Sequence, residues 1–147
     1  MADGTTPVHI DDEMAARIGG AFDDKKPLVV AYVDADGQAH LSFRGSTQGF
    51  SDTQLAIWVR EAGGGLLKAL PNNPRLSLMY RDTATKLSYL IYGRASVVTD
   101  PAVSQSIYDN SPQGERDRDP EQKGVAIVID VDAIEGGNAD KRINMRG

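Results

Sequence analysis

Cysteine is absent from the chain, which removes disulfides, thiolate nucleophiles and zinc–thiolate centres from consideration and by itself assigns no compartment. Positive charge is in short supply as well. Sixteen Lys and Arg stand against 21 Asp and Glu, for a net charge of −5 and a pI near 4.9. Binding to a phosphate backbone needs the opposite balance, so nucleic acid is not expected as a partner. No apolar run approaches the roughly 18–20 residues that a membrane-spanning helix requires. The opening stretch MADGTTPVHIDDEM has neither the basic segment nor the apolar core of a secretory leader. A soluble cytoplasmic protein without membrane contact is expected. There is no internal repeat, low-complexity tract, heptad pattern or zincin motif. His9 and His40 are far apart in sequence with no matching carboxylate motif, so neither is expected to act as a metal ligand or general base.

What is present is 147 residues, 40% of them apolar, enough to bury a core without metals or disulfides; one domain over 1–147 is expected. The stretch 53–81 organises it. Alternating Leu55, Ile57 and Val59 lead into Gly63, Gly64 and Gly65, then a short apolar helix, then Pro71 to Pro74 and a further strand. Glycines at the hand-over from strand to helix relax the backbone and bring unpaired N–H groups near any anionic ligand. That makes the triplet a candidate phosphate seat.

Around it, residues 1–10 read as a loose lead-in. Met14, Ala15, Ile18, Ala21 and Phe22 recur at helical spacing behind an Asp11 or Asp12 cap. A β-branched run over 28–33 and the Asp36-Gly37 pair predict a hairpin. In its return strand Ala39, Leu41 and Phe43 are expected to face the core, and His40, Ser42 and Arg44 to meet a ligand or a partner subunit. Residues 45–52 read as a polar loop, and 53–60 as the third strand, with Ala56, Trp58 and Arg60 on the face opposite Leu55. A strand over 75–81 alternates Leu76, Leu78 and Tyr80 with Ser77, Met79 and Arg81. The strand over 86–99 is apolar on both faces, which points to a subunit interface on one of them. Asp100-Pro101 opens a helix to about Tyr108. Residues 109–123 hold eight charges in fifteen positions and read as an exposed loop with solvated carboxylates. A final strand spans 125–131, Gly136-Gly137 ends the ordered core, and 138–147 forms a tail.

Short turns joining mostly β segments predict a mainly β protein with short helices, a six-stranded antiparallel barrel with helices at its ends. The element order, with Asp36-Gly37, Asn73-Pro74-Arg75-Leu76-Ser77-Leu78 and Gly93-Arg94-Ala95, resembles the split β-barrel flavoproteins related to pyridoxamine 5′-phosphate oxidase over roughly residues 11–131. The resemblance implies a homodimer with cofactor sites at the subunit interface, holding FMN or, in a related branch, the deazaflavin coenzyme F-420. It also implies an oxidoreductase that moves a hydride between the cofactor and a small organic substrate. The alternative is a cofactor-binding, carrier or sensor protein without turnover. FMN-binding relatives hold phosphate with basic and hydroxyl groups and a Ser-Arg-Lys-like segment at the short helix. Here that segment is Gly64, Gly65 and Leu66, without a cation. The cofactor-binding candidates are therefore Ser42, Arg44, Arg60 and Lys68, the amides of Gly63, Gly64 and Gly65, and Trp58 and Tyr92 as walls for the ring. No catalytic side chain is assigned, because the cofactor would carry the chemistry. The substrate is left open.

Overall fold

The structure is a computed structural model that describes residues 4–147. Helix α1 (Asp12–Gly19) starts where the Asp11 side chain accepts from the Met14 N–H at 2.8 Å, and buries Met14 and Ile18. Strands β1 (Leu28–Val33) and β2 (Ala39–Arg44) pair as the expected hairpin. Its turn carries Gly37 at φ +86, a conformation that glycine adopts without strain. β3 (Gln48–Ser51) and β4 (Gln54–Val59) follow, then the short helix α2 (Gly65–Ala69). β5 (Arg75–Asp82) buries Leu76, Leu78 and Tyr80 in strict alternation. β6 (Leu87–Val97) leads to α3 (Pro101–Asp109), which Asp100 caps through the Ala102 N–H at 2.9 Å. α4 (Gln113–Arg116), β7 (Val125–Gly137) and β8 (Arg142–Arg146) complete the chain.

The strands form one antiparallel sheet of eight, in the order β2-β1-β5-β6-β7-β4-β3, with β8 paired to β7. This corrects the expected six-stranded split β-barrel. The path ends at β2 and β3, which do not pair with each other, so the sheet is not closed into a barrel. The two additional strands come from segments read as loop and tail. β3 lies within 45–52 and pairs with β4; β8 lies within 138–147 and pairs with the far half of β7. β3 carries no apolar alternation and forms by backbone pairing with β4, whereas β8 alternates Ile143 and Met145 with polar residues and packs them on the core. The lead-in is likewise held where it is described. Thr6 N–H donates to the Asn144 carbonyl at 3.0 Å, and Val8 and Ile10 are buried; residues 1–3 lie outside the described residues.

The sheet has two unequal faces. Its inner face gathers Leu28, Val30, Leu55, Ile57, Leu78, Tyr80, Ile91, Ile127 and Ile129 into the main core, with α1 and Leu66 of α2 against it. Its outer face is covered over β4 and β7, where α3 packs Ile107 and Tyr108 onto Ala56, Trp58 and Ala126. Over β2, β1, β5 and β6 the outer face lies bare. The segment 109–123 is exposed over nine of its fifteen residues, as expected, but it carries α4 and buries Ser111, Glu115 and Asp119. Among the described residues no helix is long and apolar enough to cross a membrane.

Candidate functional site

The alternation of β2 is inverted relative to expectation. Register pairs Arg44 with Leu28, Ser42 with Val30 and His40 with Tyr32, and Leu28 and Val30 are core residues, so the polar side chains share the inner face. Leu41 and Phe43 point outward and are 74% and 71% exposed. The reason is position. β2 ends the sheet path, and its inward His40 faces a hollow beside α2.

Two atoms on this inner face stand out. Ser42 Oγ and Arg44 Nε are buried and have no hydrogen-bond partner among the described residues. Each such group costs about 1–3 kcal/mol of uncompensated desolvation, and native structures rarely leave them unexplained. Arg44 reaches one carboxylate, Nη1 to Glu61 Oε2, at the long distance of 3.5 Å. Glu61 is largely exposed, and its carbonyl accepts from the Gly64 N–H at 3.0 Å.

Further along the same face His40 Nε2 lies 2.8 Å from Asp34 Oδ2, and its ring stacks on Tyr32 at 4.8 Å and 10°. The Asp34 carboxyl is held below its usual range, first by the hydrogen bond from His40 and then by the Gln38 and Asp36 N–H groups. These residues, with Gly65, Lys68 and Ala69, line a hollow of about 310 Å³. Lys68 has no ion-pair partner among the described residues. The His40–Asp34 pair was not legible as a motif. Its signal is an acid six residues before a histidine across a two-strand turn, which only the hairpin register brings together. Of the triplet, Gly63 stands in open space, whereas a Cβ at Gly65 would collide with the Tyr32 hydroxyl. Gly65 therefore permits the close approach of α2 to β1. At five residues α2 offers little helix dipole.

The other candidates lie elsewhere. Trp58 is buried in the outer cluster, donating through Nε1 to Asp119 Oδ2 at 2.8 Å and meeting Tyr108 edge-on at 5.1 Å. Burial opposes the charge on Asp119, yet the Lys123 N–H, the Trp58 indole and the Gly124 N–H keep its carboxyl below the usual range. Arg60 faces the buried Glu115, Nε to Oε1 at 3.6 Å, and so ties α4 to the end of β4. Tyr92 is on the outer face, beside Arg75, Ser77 and Arg146 in a hollow of about 330 Å³. Another hollow of about 730 Å³ lies between α1 and β3, with Asp11, Asp12 and Asp52 in its lining and no lysine or arginine, which does not suit a phosphate. The structure thus sets Ser42 and Arg44 on one face, places Gly65 and Lys68 along the same inner face, sets Trp58 and Tyr92 apart from them, and engages Arg60 with Glu115, which lies against Gly45 beside Arg44.

Residues 10–136 match the family model described as pyridoxamine 5′-phosphate oxidase. The chain belongs to the pyridoxamine 5′-phosphate oxidase family. This is a flavin-binding family, and the fold is of the flavin-binding oxidoreductase type. No curated protein matches the sequence. Among solved structures the chain is similar to HupZ of Group A Streptococcus, at 19% identity and a TM-score of 0.70 over 92% of this chain and 98% of that one. It is similar to General Stress Protein 26 of Bacillus anthracis at 18% identity and a TM-score of 0.67, covering 92% and 99%. A pyridoxamine 5′-phosphate oxidase-related, FMN-binding protein of Nostoc punctiforme aligns at 12% identity and a TM-score of 0.67, covering 90% and 84%. At these identities the likeness concerns the fold of the family, while the chemistry rests on the residues above.

Proposed function

We propose that this member of the pyridoxamine 5′-phosphate oxidase family is an FMN-dependent oxidoreductase acting on a small organic substrate, with the cofactor phosphate held by Ser42 and Arg44. The observation that carries the reading is the pair of buried, unpartnered groups on the inner face of β2, Ser42 Oγ and Arg44 Nε. A phosphate group would accept from both the Ser42 hydroxyl and the Arg44 guanidinium, so the residue types present suit the anionic end of the cofactor. Tyr32, His40 and Lys68 line the adjoining hollow and would hold the portion of the cofactor beyond the phosphate. When bound, the flavin ring supplies hydride transfer; the protein anchors, orients and shields it.

The bare outer face supports a homodimer. Phe43 pairs with Val29, Val29 with Met79 and Met79 with Leu90, an apolar row across four strands. Leu41 and Phe43 would each contribute about 1.5–3 kcal/mol on full burial against a second copy. A second reading, cofactor binding without turnover, is favoured by the sparse cationic set, since Arg44 is paired with Glu61. The experiment is titration of ligand-stripped protein with FMN and, separately, with coenzyme F-420, followed by fluorescence, and then by ring absorbance as reductant and candidate substrates are added. Binding with repeated reduction and reoxidation is expected. Binding without redox change supports the carrier reading, F-420 binding alone moves the protein to the deazaflavin branch, and binding of neither removes the proposal.

A further inference from the structure

Strand register lays one row of side chains across the outer face, in which Leu41, Ala31, Ser77, Tyr92, Ala133 and Arg146 stand opposite one another in turn from β2 to β8. The row changes from apolar to polar at β5. From there Ser77, Tyr92, Ala133 and Arg146, with Arg75 and Asp132 beside them, line a hollow of about 330 Å³. Small-molecule sites begin at this size, about 300–1,000 Å³. Two features of the sequence make the hollow. Ala133 sets a methyl group between the long side chains of Tyr92 and Arg146, and a bulge after Tyr92, where Gly93 pairs with Val131, leaves Asp132 without a partner on β6. Gly93 lets the strands close there, since a Cβ would strike the Asp130 carbonyl.

The charges of this lining do not cancel. Arg94 engages both oxygens of Asp132, through Nε at 3.0 Å and Nη2 at 2.9 Å, and Arg146 pairs with Glu135 at 3.3 Å. Arg75 has no ion-pair partner among the described residues; it acts on Asp132 only through its field, and that carboxylate is already held by Arg94. One positive charge is therefore left over, next to an aromatic ring that is 37% exposed and to the hydroxyls of Ser77 and Tyr92.

We propose that this hollow is a second binding site, for a small flat organic monocarboxylate, with Arg75 taking the carboxylate and the Tyr92 ring packing against its body. A guanidinium meets a carboxylate through two parallel N–H bonds, a geometry that lysine cannot reproduce. A single negative charge completes the balance. A dianion would leave one charge uncompensated close to Asp132 and Glu135, where like charges repel. The site is on the outer face, whereas Ser42 and Arg44 are on the inner face of β2, and it stands independently of the cofactor reading.

Benzoate is the probe, titrated calorimetrically into the full chain at mildly alkaline pH, with benzamide as its uncharged isostere and inorganic phosphate as a dianion. One benzoate per chain is expected, with benzamide about tenfold weaker or worse for want of a charged acceptor, and with phosphate failing to displace it. Arg75→Gln is expected to weaken benzoate by about tenfold or more, Ala133→Leu to abolish binding by filling the hollow, and Arg44→Gln, at the cofactor seat, to leave it unchanged. Arg75 is exposed, so Arg75→Gln keeps the test intact even where Ala133→Leu does not fold. The proposal is overturned by benzoate that binds wild type and Arg75→Gln alike, that is lost with Arg44 instead, or that phosphate displaces. A wild type that binds no benzoate overturns it as well, and an Arg75→Gln variant shifted from dimer to monomer in that case assigns Arg75 to the subunit contact.

Discussion

Replacing Asp119 with alanine tests the claim that the charged segment 109–123 is part of the packed structure. One carboxylate there serves three donors: Trp58 Nε1 at 2.8 Å, the Gly124 N–H at 2.9 Å and the Lys123 N–H at 2.9 Å. The side-chain removal leaves the buried indole N–H without an acceptor, at about 1–3 kcal/mol, and loses two backbone bonds that water can partly replace, at about 0.5–1 kcal/mol each. The sum is about 2–5 kcal/mol. For a chain of this length the unfolding entropy is roughly 0.3 kcal/mol per degree, so Tm should fall by roughly 6–16 °C. Asp119→Asn keeps one acceptor oxygen and turns its amide toward a donor, and is expected to lose about half as much. Trp58 is the sole tryptophan, so its fluorescence reports the same site, and a red-shifted emission in the folded variant should accompany the thermal loss. A Tm drop below about 2 °C, with unchanged emission, would refute the assignment of Asp119 as a structural acceptor.

Gly65→Val is expected to destabilise by about 1–3 kcal/mol, because its Cβ meets the Tyr32 hydroxyl, whereas Gly63→Ala, in open space, should be neutral in urea denaturation; equal effects would contradict the packing role of Gly65. Phe43→Asp should shift the mass in sedimentation equilibrium from dimer to monomer, and a wild type that is already monomeric at high concentration sinks the proposed interface. Acid should act through Asp82, held at about 2 against an ordinary 3.8 by the Thr85 hydroxyl first, with burial opposing and Lys26 and the Ala84 N–H adding. A depressed carboxyl contributes stability above its unfolded value and loses it on protonation. Wild type should therefore lose more Tm than Asp82→Asn between pH 4 and pH 2, and parallel profiles would count against this. At the other extreme burial raises the Tyr89 phenol to about 12, so its contribution is intact below the ordinary 10.0 and disappears as pH climbs toward 12.

What the sequence made legible was wherever one local rule acted alone. The alternation of β5, the Asp11 and Asp100 caps and the Asp36-Gly37 turn all formed as read, because each depends on residues a few positions apart. Failures came where tertiary context decided. β2 offered apolar and polar rows of equal length, and nothing local said that the polar row would face inward at the end of the sheet path. The carboxylates of 109–123 were indistinguishable from solvated ones until Trp58 and the Gly124 backbone supplied donors to Asp119. β3 forms on the pairing capacity of β4, which its own side chains do not announce, while the short alternation of Ile143 and Met145 in β8 lay within a segment read as tail. At the candidate site Ser42 and Arg44 were read as candidates for holding an anion, and the structure sets them on one face of β2. Glu61, Tyr32 and the Asp34–His40 pair were not, since their roles arise from strand register and from a glycine-closed turn.

The position of β2 at the end of the sheet also bears on how the chain survives its own folding. Among the described residues no strand pairs with its outer edge, so the outward-pointing backbone groups of alternate residues lack a strand partner, beside the exposed Leu41 and Phe43. Such an edge is a template for indiscriminate strand addition. His40 and Arg44, alternating with Leu41 and Phe43, are the polar groups that discourage it. The side chain proposed to anchor an anion in the finished protein is thus also placed to act as a gatekeeper against aggregation in the nascent one. Replacements of Arg44 meant to probe ligand affinity should accordingly keep a polar head, as Arg44→Gln does; an apolar substitute would be expected to lower the yield of soluble protein before affinity could be measured.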